Sequence, residues 1–188
     1  MKKISVFASG QGTNTLNIIR YFRERGGAEV ALIVVNNPEA GIIKEAQKLG
    51  IPVTVYGKDA FYNSQILLQK LADAGTDLIV LAGFLWLLPK YLTDAYPNRI
   101  INIHPALLPK FGGKGMYGMH VHEAVVKAGE TESGITIHRV NERYDEGAVL
   151  FQAKCALDPG ETPESLALKI RHLEHLHFPR LIESLLKD

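Results

Sequence analysis

Short apolar runs alternate along this chain with segments whose apolar residues recur three and four positions apart. Residues 3–8, 29–35, 52–55, 78–81 and 100–103 are rich in Ile, Val and Leu, the composition of strands buried on both faces. Between them, 15–25, 41–49, 60–74 and 88–96 carry helical spacing, so the pattern predicts crossover helices joining parallel strands. Pro105, Pro109, Gly112, Gly113, Gly115 and Gly118 then interrupt regular structure and mark a long loop. A helix over 120–128 follows. Residues 134–140 and 148–156 read as strands on either side of a turn at 141–147, and would pair antiparallel. Thr162 as N-cap and Pro163 at the first helical position open a last helix, with Leu166, Ile170, Leu173, Phe178, Leu181, Ile182 and Leu185 on its apolar stripe. The expected fold is α/β: a doubly wound, mainly parallel sheet in a single domain over 1–188, closed by an antiparallel strand pair and a final helix.

Composition narrows the function only modestly. A chain of 188 residues, 46% hydrophobic, has enough apolar matter for one sizeable core. Its net charge of +1 and the lack of Lys/Arg runs give no footprint for nucleic acid. No window approaches the roughly 20 apolar residues of a membrane helix. Met1-Lys2-Lys3 followed by Ile4 to Ala8 imitates a signal-peptide opening, but Ser9-Gly10-Gln11-Gly12 ends the apolar stretch too early, and a buried first strand is the better reading. With Cys155 as the only cysteine, no intrachain disulfide can form. These features predict a cytoplasmic, metal-free protein working on small molecules, without nucleic-acid or membrane partners, as a monomer or homodimer.

The turn Ser9-Gly10-Gln11-Gly12-Thr13-Asn14 joins a buried strand to a helix, where backbone N–H groups and the helix dipole favour an anion. Thr15 replaces the third glycine of a dinucleotide fingerprint. Asn36-Asn37 stands where a ribose-binding acid is expected, and there is no Walker lysine. The turn therefore suits a single phosphate, with side-chain bonds from Thr13 and Asn14. The same glycines would also serve a tight packing turn.

The run Asn102-Ile103-His104-Pro105-Ala106-Leu107-Leu108-Pro109-Lys110, with Asp145-Glu146-Gly147 further on, reads as an active site. Alternation along a strand puts Asn102 and His104 on one face. An amide N–H and a protonated imidazole would stabilise the oxyanion formed when an amine attacks an acyl carbon. Asp145 would favour the imidazolium and help pass protons. The remaining histidines, His120, His122, His172, His175 and His177, lack a recognisable metal-ligand spacing and read as solvated or core residues; His138, on the strand leading to Asp145, is kept as a supporting group.

In these motifs the whole chain resembles the folate-dependent formyltransferases, and among them the phosphoribosylglycinamide formyltransferases. The Asn-Ile-His-Pro-Ala-Leu-Leu-Pro run, Ser-Gly-Gln-Gly-Thr-Asn near the start and Leu81-Ala82-Gly83-Phe84-Leu85 carry the resemblance. It implies a Rossmann-like fold and transfer of a formyl group from 10-formyltetrahydrofolate, as cosubstrate, to the amine of phosphoribosylglycinamide in purine biosynthesis. Asn102, His104 and Asp145 would be catalytic. Gly12, Thr13 and Asn14 would hold the phosphate, and Arg171, His172, Leu173 and Glu174 the ribose, with Glu174 accepting a hydroxyl. The folate would meet Leu85, Trp86, Leu87 and Leu88, the turn Asn141, Glu142, Arg143 and Tyr144, Asn102, and Ser64. Trp86 and Ser64 replace basic residues common in relatives. Apart from the resemblance, the glycine-rich run in 111–119 suits either a substrate lid or a mobile surface turn.

Other readings are a formyltransferase acting on a different amine, or a non-catalytic nucleotide-binding module. Methionyl-tRNA and sugar-nucleotide formyltransferases are usually longer, and formyltetrahydrofolate hydrolases usually carry an additional N-terminal domain. Retention of Asn102, His104 and Asp145 together argues against the non-catalytic module.

Overall fold

A computed structural model describes residues 1–187. The elements run β1 (Lys2–Ala8), α1 (Thr13–Arg25), β2 (Ala28–Val35), α2 (Ile42–Lys48), β3 (Val53–Val55), α3 (Lys58–Asn63), α4 (Ile66–Asp73), β4 (Leu78–Leu81), α5 (Lys90–Ala95), β5 (Ile100–His104), α6 (Met119–Lys127), β6 (Glu132–Arg139), β7 (Val149–Ala156) and α7 (Pro163–Lys187). They build a seven-stranded sheet in the order β3-β2-β1-β4-β5-β6-β7. Strands β1 to β5 pair in parallel, whereas β6 lies antiparallel to both β5 and β7. This is the doubly wound sheet and antiparallel pair that the hydrophobic pattern predicts. The order at β1 reverses between β2 and β4, and ligand clefts of such sheets form beyond the strand C-termini at that switch.

Strand alternation divides the core between the two faces. Ile4, Val6, Ile33, Val35, Val80, Ile101, Ile103, Ile135 and Ile137 pack under α1, α2, α6 and α7, with Ile18, Val121, Leu166 and Phe178 as helix partners. On the opposite face Phe7, Val34, Ile79, Leu81 and Ile100 meet Phe61, Leu67, Leu71 and Leu92 of α3, α4 and α5. Asn102 and His104 share the parity of Ile100, and they pair in register with His138 and Thr136 on β6. These four polar residues therefore point to the second face beside its helices, where loops cover the sheet.

Two expectations need correction. Residues 60–74 are not one helix: the chain is extended at Ser64 and separates α3 from α4. The Ser64 hydroxyl accepts the Ile66 N–H at 3.2 Å, the local bonding that makes serine a helix-start residue rather than an interior one. The break allows Phe61 and the pair Leu67 and Leu71 to reach the sheet from separate axes. In the sheet, β4 stands between β1 and the Asn102–His104 strand. At its start α5 begins only after Pro89, since the residue before proline is driven from helical geometry; Leu88 is instead packed in the core.

Helix α7 contains Pro179, which has no N–H for the carbonyl of His175 one turn earlier. Asn17 of α1 supplies the missing donor, its Nδ2–H reaching that carbonyl at 2.9 Å. A proline that would otherwise weaken the helix thus becomes a joint between α7 and α1, and it lies beside the first turn of α1.

Candidate active site

The C-terminal edge of the parallel strands gathers the residues that the sequence singles out. At the end of β1, Ser9 donates its backbone N–H to the Gly83 carbonyl at 3.1 Å, and its hydroxyl accepts the Leu85 N–H at 3.0 Å. The first turn is thereby fastened to the segment after β4. Gly12 is the N-cap of α1 with φ +71°. The first turn of α1 has neither an acidic residue nor a side-chain cap, which leaves its N–H groups available to an anion. A Cβ at Gly12 would also lie 2.6 Å from Ile42 Cβ. The glycine is required by backbone geometry and packing alone, so its substitution perturbs folding before it reports on a ligand.

Thr13 is exposed and Asn14 half-buried at the start of α1. Asn14 Nδ2–H donates to Glu174 Oε2 at 3.0 Å, while Asn14 Oδ1 is buried without a partner. Burial raises the Glu174 pKa, against the Asn14 hydrogen bond and the charge of Arg171. The fold thus joins two residues far apart in sequence. Arg171 and His172 are exposed on α7, whereas Leu173 packs against the core.

Asn102, His104 and Asp145 converge with His138. The His104 Nε2–H donates to the Phe111 carbonyl at 2.7 Å, which fixes the neutral tautomer and turns the Nδ1 lone pair toward Asp145 Oδ2, 3.5 Å away. The His138 Nδ1–H is similarly fixed by the Arg139 carbonyl at 2.8 Å, leaving Nε2 to accept from Asn102 Nδ2 at 3.1 Å. His138 Nε2 is also 3.5 Å from Asp145 Oδ1. One Asn102 N–H is therefore committed to His138, and its amide plane is set with the other N–H free. Asp145 itself is anchored by the Gly113 N–H at 2.9 Å.

Burial sets the protonation states. Only 3% of His104 is exposed, and desolvation lowers its pKa despite the opposing influence of Asp145 and of the Phe111 carbonyl. The resting imidazole is neutral near neutral pH, a change from the imidazolium expected from sequence. Burial raises the Asp145 pKa, but the neighbouring His138 and His104 rings and the Gly113 N–H outweigh it, and the net shift is downward. Buried His122 is also lowered, by desolvation and then by His104.

These shifts fix the sign of a pH effect. Below the ordinary histidine value of 6.5, the unfolded chain binds protons that buried His104 and His122 resist, so stability must fall until their lower folded values are reached. Asp145 adds a second loss only at much lower pH, below its ordinary value of 3.8, where the unfolded carboxylate takes up protons first. Urea unfolding should give a lower midpoint at about pH 5.5 than at about pH 7.5. An unchanged or higher midpoint in acid would contradict the neutral buried imidazoles.

The loop after His104 is held by residues that the sequence did not single out. Thr136 Oγ1–H donates to the Ala106 carbonyl at 2.7 Å and accepts the Leu108 N–H at 3.0 Å. Gln152 Nε2 bridges Thr136 Oγ1 at 2.9 Å and the Leu108 carbonyl at 3.1 Å. Phe111 and Asp145, which flank the imidazole, are two of the three non-glycine residues with positive φ among the described residues, at 55° and 57°. Such local strain is concentrated here against His104. No sequence signal short of the β5–β6–β7 register would have found Thr136 and Gln152.

The residues expected to contact the folate come from several elements, and Tyr144, next to Asp145, is bonded to the Leu87 N–H. Leu85 is exposed, Trp86 and Leu87 are half-buried and Leu88 is buried. Trp86 packs among Phe61, Tyr62 and Phe84 with ring centroids 5.3, 6.0 and 6.2 Å away. Asn141, Glu142, Arg143 and Tyr144 form an exposed turn in which Asn141 Oδ1 accepts the Arg143 N–H at 2.9 Å. Ser64 is engaged at the start of α4. Cys155 lies on β7 and packs on the other sheet face, away from Asn102 and His104. Among the described residues no helix is long and apolar enough to cross a membrane.

This arrangement offers an oriented amide N–H, a neutral imidazole and an anchored carboxylate at one edge of the sheet, with an uncapped helix N-terminus on the same edge. Residues 2–182 match the family model described as formyl transferase. The chloroplastic phosphoribosylglycinamide formyltransferase of Arabidopsis thaliana is 41% identical over 100% of this chain, which spans 66% of that relative's length. That of Bacillus subtilis is 36% identical over 99% of the chain and 95% of the relative. Among solved structures, glycinamide ribonucleotide transformylase 1 from Geobacillus kaustophilus superposes with a TM-score of 0.88 at 37% identity, covering 99% of both chains.

Proposed function

The chain belongs to the formyl transferase family, and on that premise we propose that it transfers the formyl group of 10-formyltetrahydrofolate to the amine of phosphoribosylglycinamide. The observation that carries the proposal is the convergence of Asn102, His104 and Asp145 beside an N-terminus of α1 suited to an anion. The Gly12 to Asn14 turn holds the phosphate, and Glu174, with its orientation set by Asn14, accepts a ribose hydroxyl. The glycinamide amine then points along the strand ends toward β5. The folate lies against Leu85 to Leu88 and the turn at 141–147, its formyl carbon near Asn102.

Attack by the neutral amine forms a C–N bond and moves the carbonyl electron pair onto oxygen. The N–H of Asn102 that His138 leaves free stabilises this oxyanion. The amine proton passes to the Asp145 carboxylate, directly or through water, and is shared with His104 Nδ1, whose lone pair already faces Asp145. Return of a proton to the folate nitrogen accompanies cleavage of its bond to the formyl carbon. Transfer is direct, because Cys155 is on the wrong face and burial raises its thiol pKa. A cytoplasmic setting belongs to the same proposal.

The substrate assignment is tested by supplying 10-formyltetrahydrofolate with phosphoribosylglycinamide or with glycinamide lacking the ribose phosphate. Formyl transfer should be efficient only to the phosphorylated acceptor. Equal efficiency with both would remove the phosphate assignment and favour another amine.

A further inference from the structure

One residue of the segment after β4, Leu87, has both of its backbone groups held by phenols. The Tyr62 Oη–H, on α3, donates to the Leu87 carbonyl at 3.0 Å, and the Leu87 N–H donates to Tyr144 Oη at 3.1 Å. The two rings come from elements 25 residues before and 57 residues after Leu87. Both stand at the surface, Tyr62 38% and Tyr144 37% exposed, so water would satisfy the same groups without these bonds. A second tie, Lys90 Nζ to Glu142 Oε1 at 3.3 Å, joins the Tyr144 turn to the start of α5. The segment after β4 and the start of α5 are thus strapped to the 141–147 turn at two points.

The two halves of the strap are not equivalent. Tyr62 is seated against Phe61 and Trp86, with ring centroids 5.2 and 6.0 Å away. Tyr144 has no aromatic partner among the described residues, and it projects from a turn whose neighbours Asn141, Glu142 and Arg143 are all exposed. Breaking the Tyr144 bond disturbs little else, whereas moving Tyr62 disrupts an aromatic cluster.

We propose that Tyr144 is a gate on the donor pocket: in the free protein its phenol occupies the Leu87 N–H, and a planar, acceptor-bearing donor ring displaces it and packs beside Trp86. This rests on the folate-donor reading above. Tyr62 keeps the Leu87 carbonyl throughout and holds the peptide in place for the exchange of partners. Because the closed strap occupies the group that the ring needs, it reduces apparent donor affinity in proportion to the closed population. It does not touch the acceptor's phosphate turn.

The test uses Tyr144→Phe, which removes the hydroxyl and keeps the ring, with Tyr62→Phe as the companion variant. Hydrogen exchange of the Leu87 amide is measured in free protein and with saturating tetrahydrofolate, and tetrahydrofolate association is followed through Trp86, the only tryptophan. In the free protein Tyr144→Phe should speed Leu87 exchange by about fivefold and donor association by a similar factor. With tetrahydrofolate bound, wild type and variant should exchange alike, since the donor has replaced the phenol in both. Tyr62→Phe should leave amide exchange near wild type. Unchanged exchange in free Tyr144→Phe, a difference that persists under saturating tetrahydrofolate, or equal acceleration by both variants would overturn the gate while leaving the donor reading intact. Failure of tetrahydrofolate to bind wild type at all would overturn the donor reading itself, and the gate with it.

Discussion

Replacing Asp145 by Asn should lower the rate of formyl transfer about a hundredfold or more while both substrates still bind. The substitution suits the test because the site accommodates an amide. Its oxygen can keep the Gly113 N–H now held at 2.9 Å, and its Nδ2–H then takes the Oδ1 place, 3.5 Å from the His138 Nε2 lone pair. Shape and hydrogen bonding are thereby retained, and the lost property is the negative charge that accepts a proton. Without Asp145, the influence that raises the His104 pKa against burial is also gone, so the imidazole becomes harder still to protonate. Both changes slow the transfer of the amine proton toward the leaving nitrogen. Single-turnover rates, substrate dissociation constants and the melting temperature should be measured on the same preparation. A folded Asp145→Asn protein that binds both substrates and turns over at the wild-type rate would end the proton-transfer role.

Asn102→Ala is expected to cost about a hundredfold in kcat, the range found when one oxyanion donor is removed. Its amide is half-buried and oriented by His138 at 3.1 Å, so the free N–H is aimed without reorganisation when charge develops. On the proposed reading, which anchors phosphoribosylglycinamide at α1 and α7, the loss should appear in kcat more than in the KM for that substrate. Truncation also leaves His138 Nε2 without its donor, 3.5 Å from Asp145 Oδ1. For that reason Asn102→Ala and Asp145→Asn should be coupled: the double variant should lose less than the product of the two single losses. A KM effect alone, with kcat unchanged, would make Asn102 a binding residue and nothing more.

The parts of this site visible in sequence are those that strand periodicity and local turn chemistry govern. Apolar runs of Ile, Val and Leu reveal the sheet, and the alternation of Asn102 with Ile103 and His104 gives their shared face before any contact is known. The Gly12 turn is legible because a glycine at a strand-to-helix junction has few physical roles. Long-range features were not legible. The latch of Thr136 and Gln152 on the His-Pro-Ala-Leu-Leu-Pro loop exists only once β6 and β7 are paired in register. The insertion of β4 between β1 and β5 is a matter of topology that short strands do not encode locally. Helical spacing over 60–74 concealed a break, since the apolar residues of α3 and α4 keep that spacing while Ser64 bonds to its own following backbone. The charge of His104 was misjudged for another reason. A neighbouring Asp can be read from sequence, but the desolvation that outweighs it depends on how completely the folded chain buries the ring.

The most direct test of direct formyl transfer is a rapid-quench experiment with 10-formyltetrahydrofolate labelled in the formyl carbon, excess protein and phosphoribosylglycinamide. The label should pass to the acceptor amine in one phase, without accumulating on the protein at any time, and Asp145→Asn should slow that phase about a hundredfold or more. Label bound covalently to the protein before it reaches the amine, or no transfer to phosphoribosylglycinamide by folded protein that binds both substrates, would contradict the account.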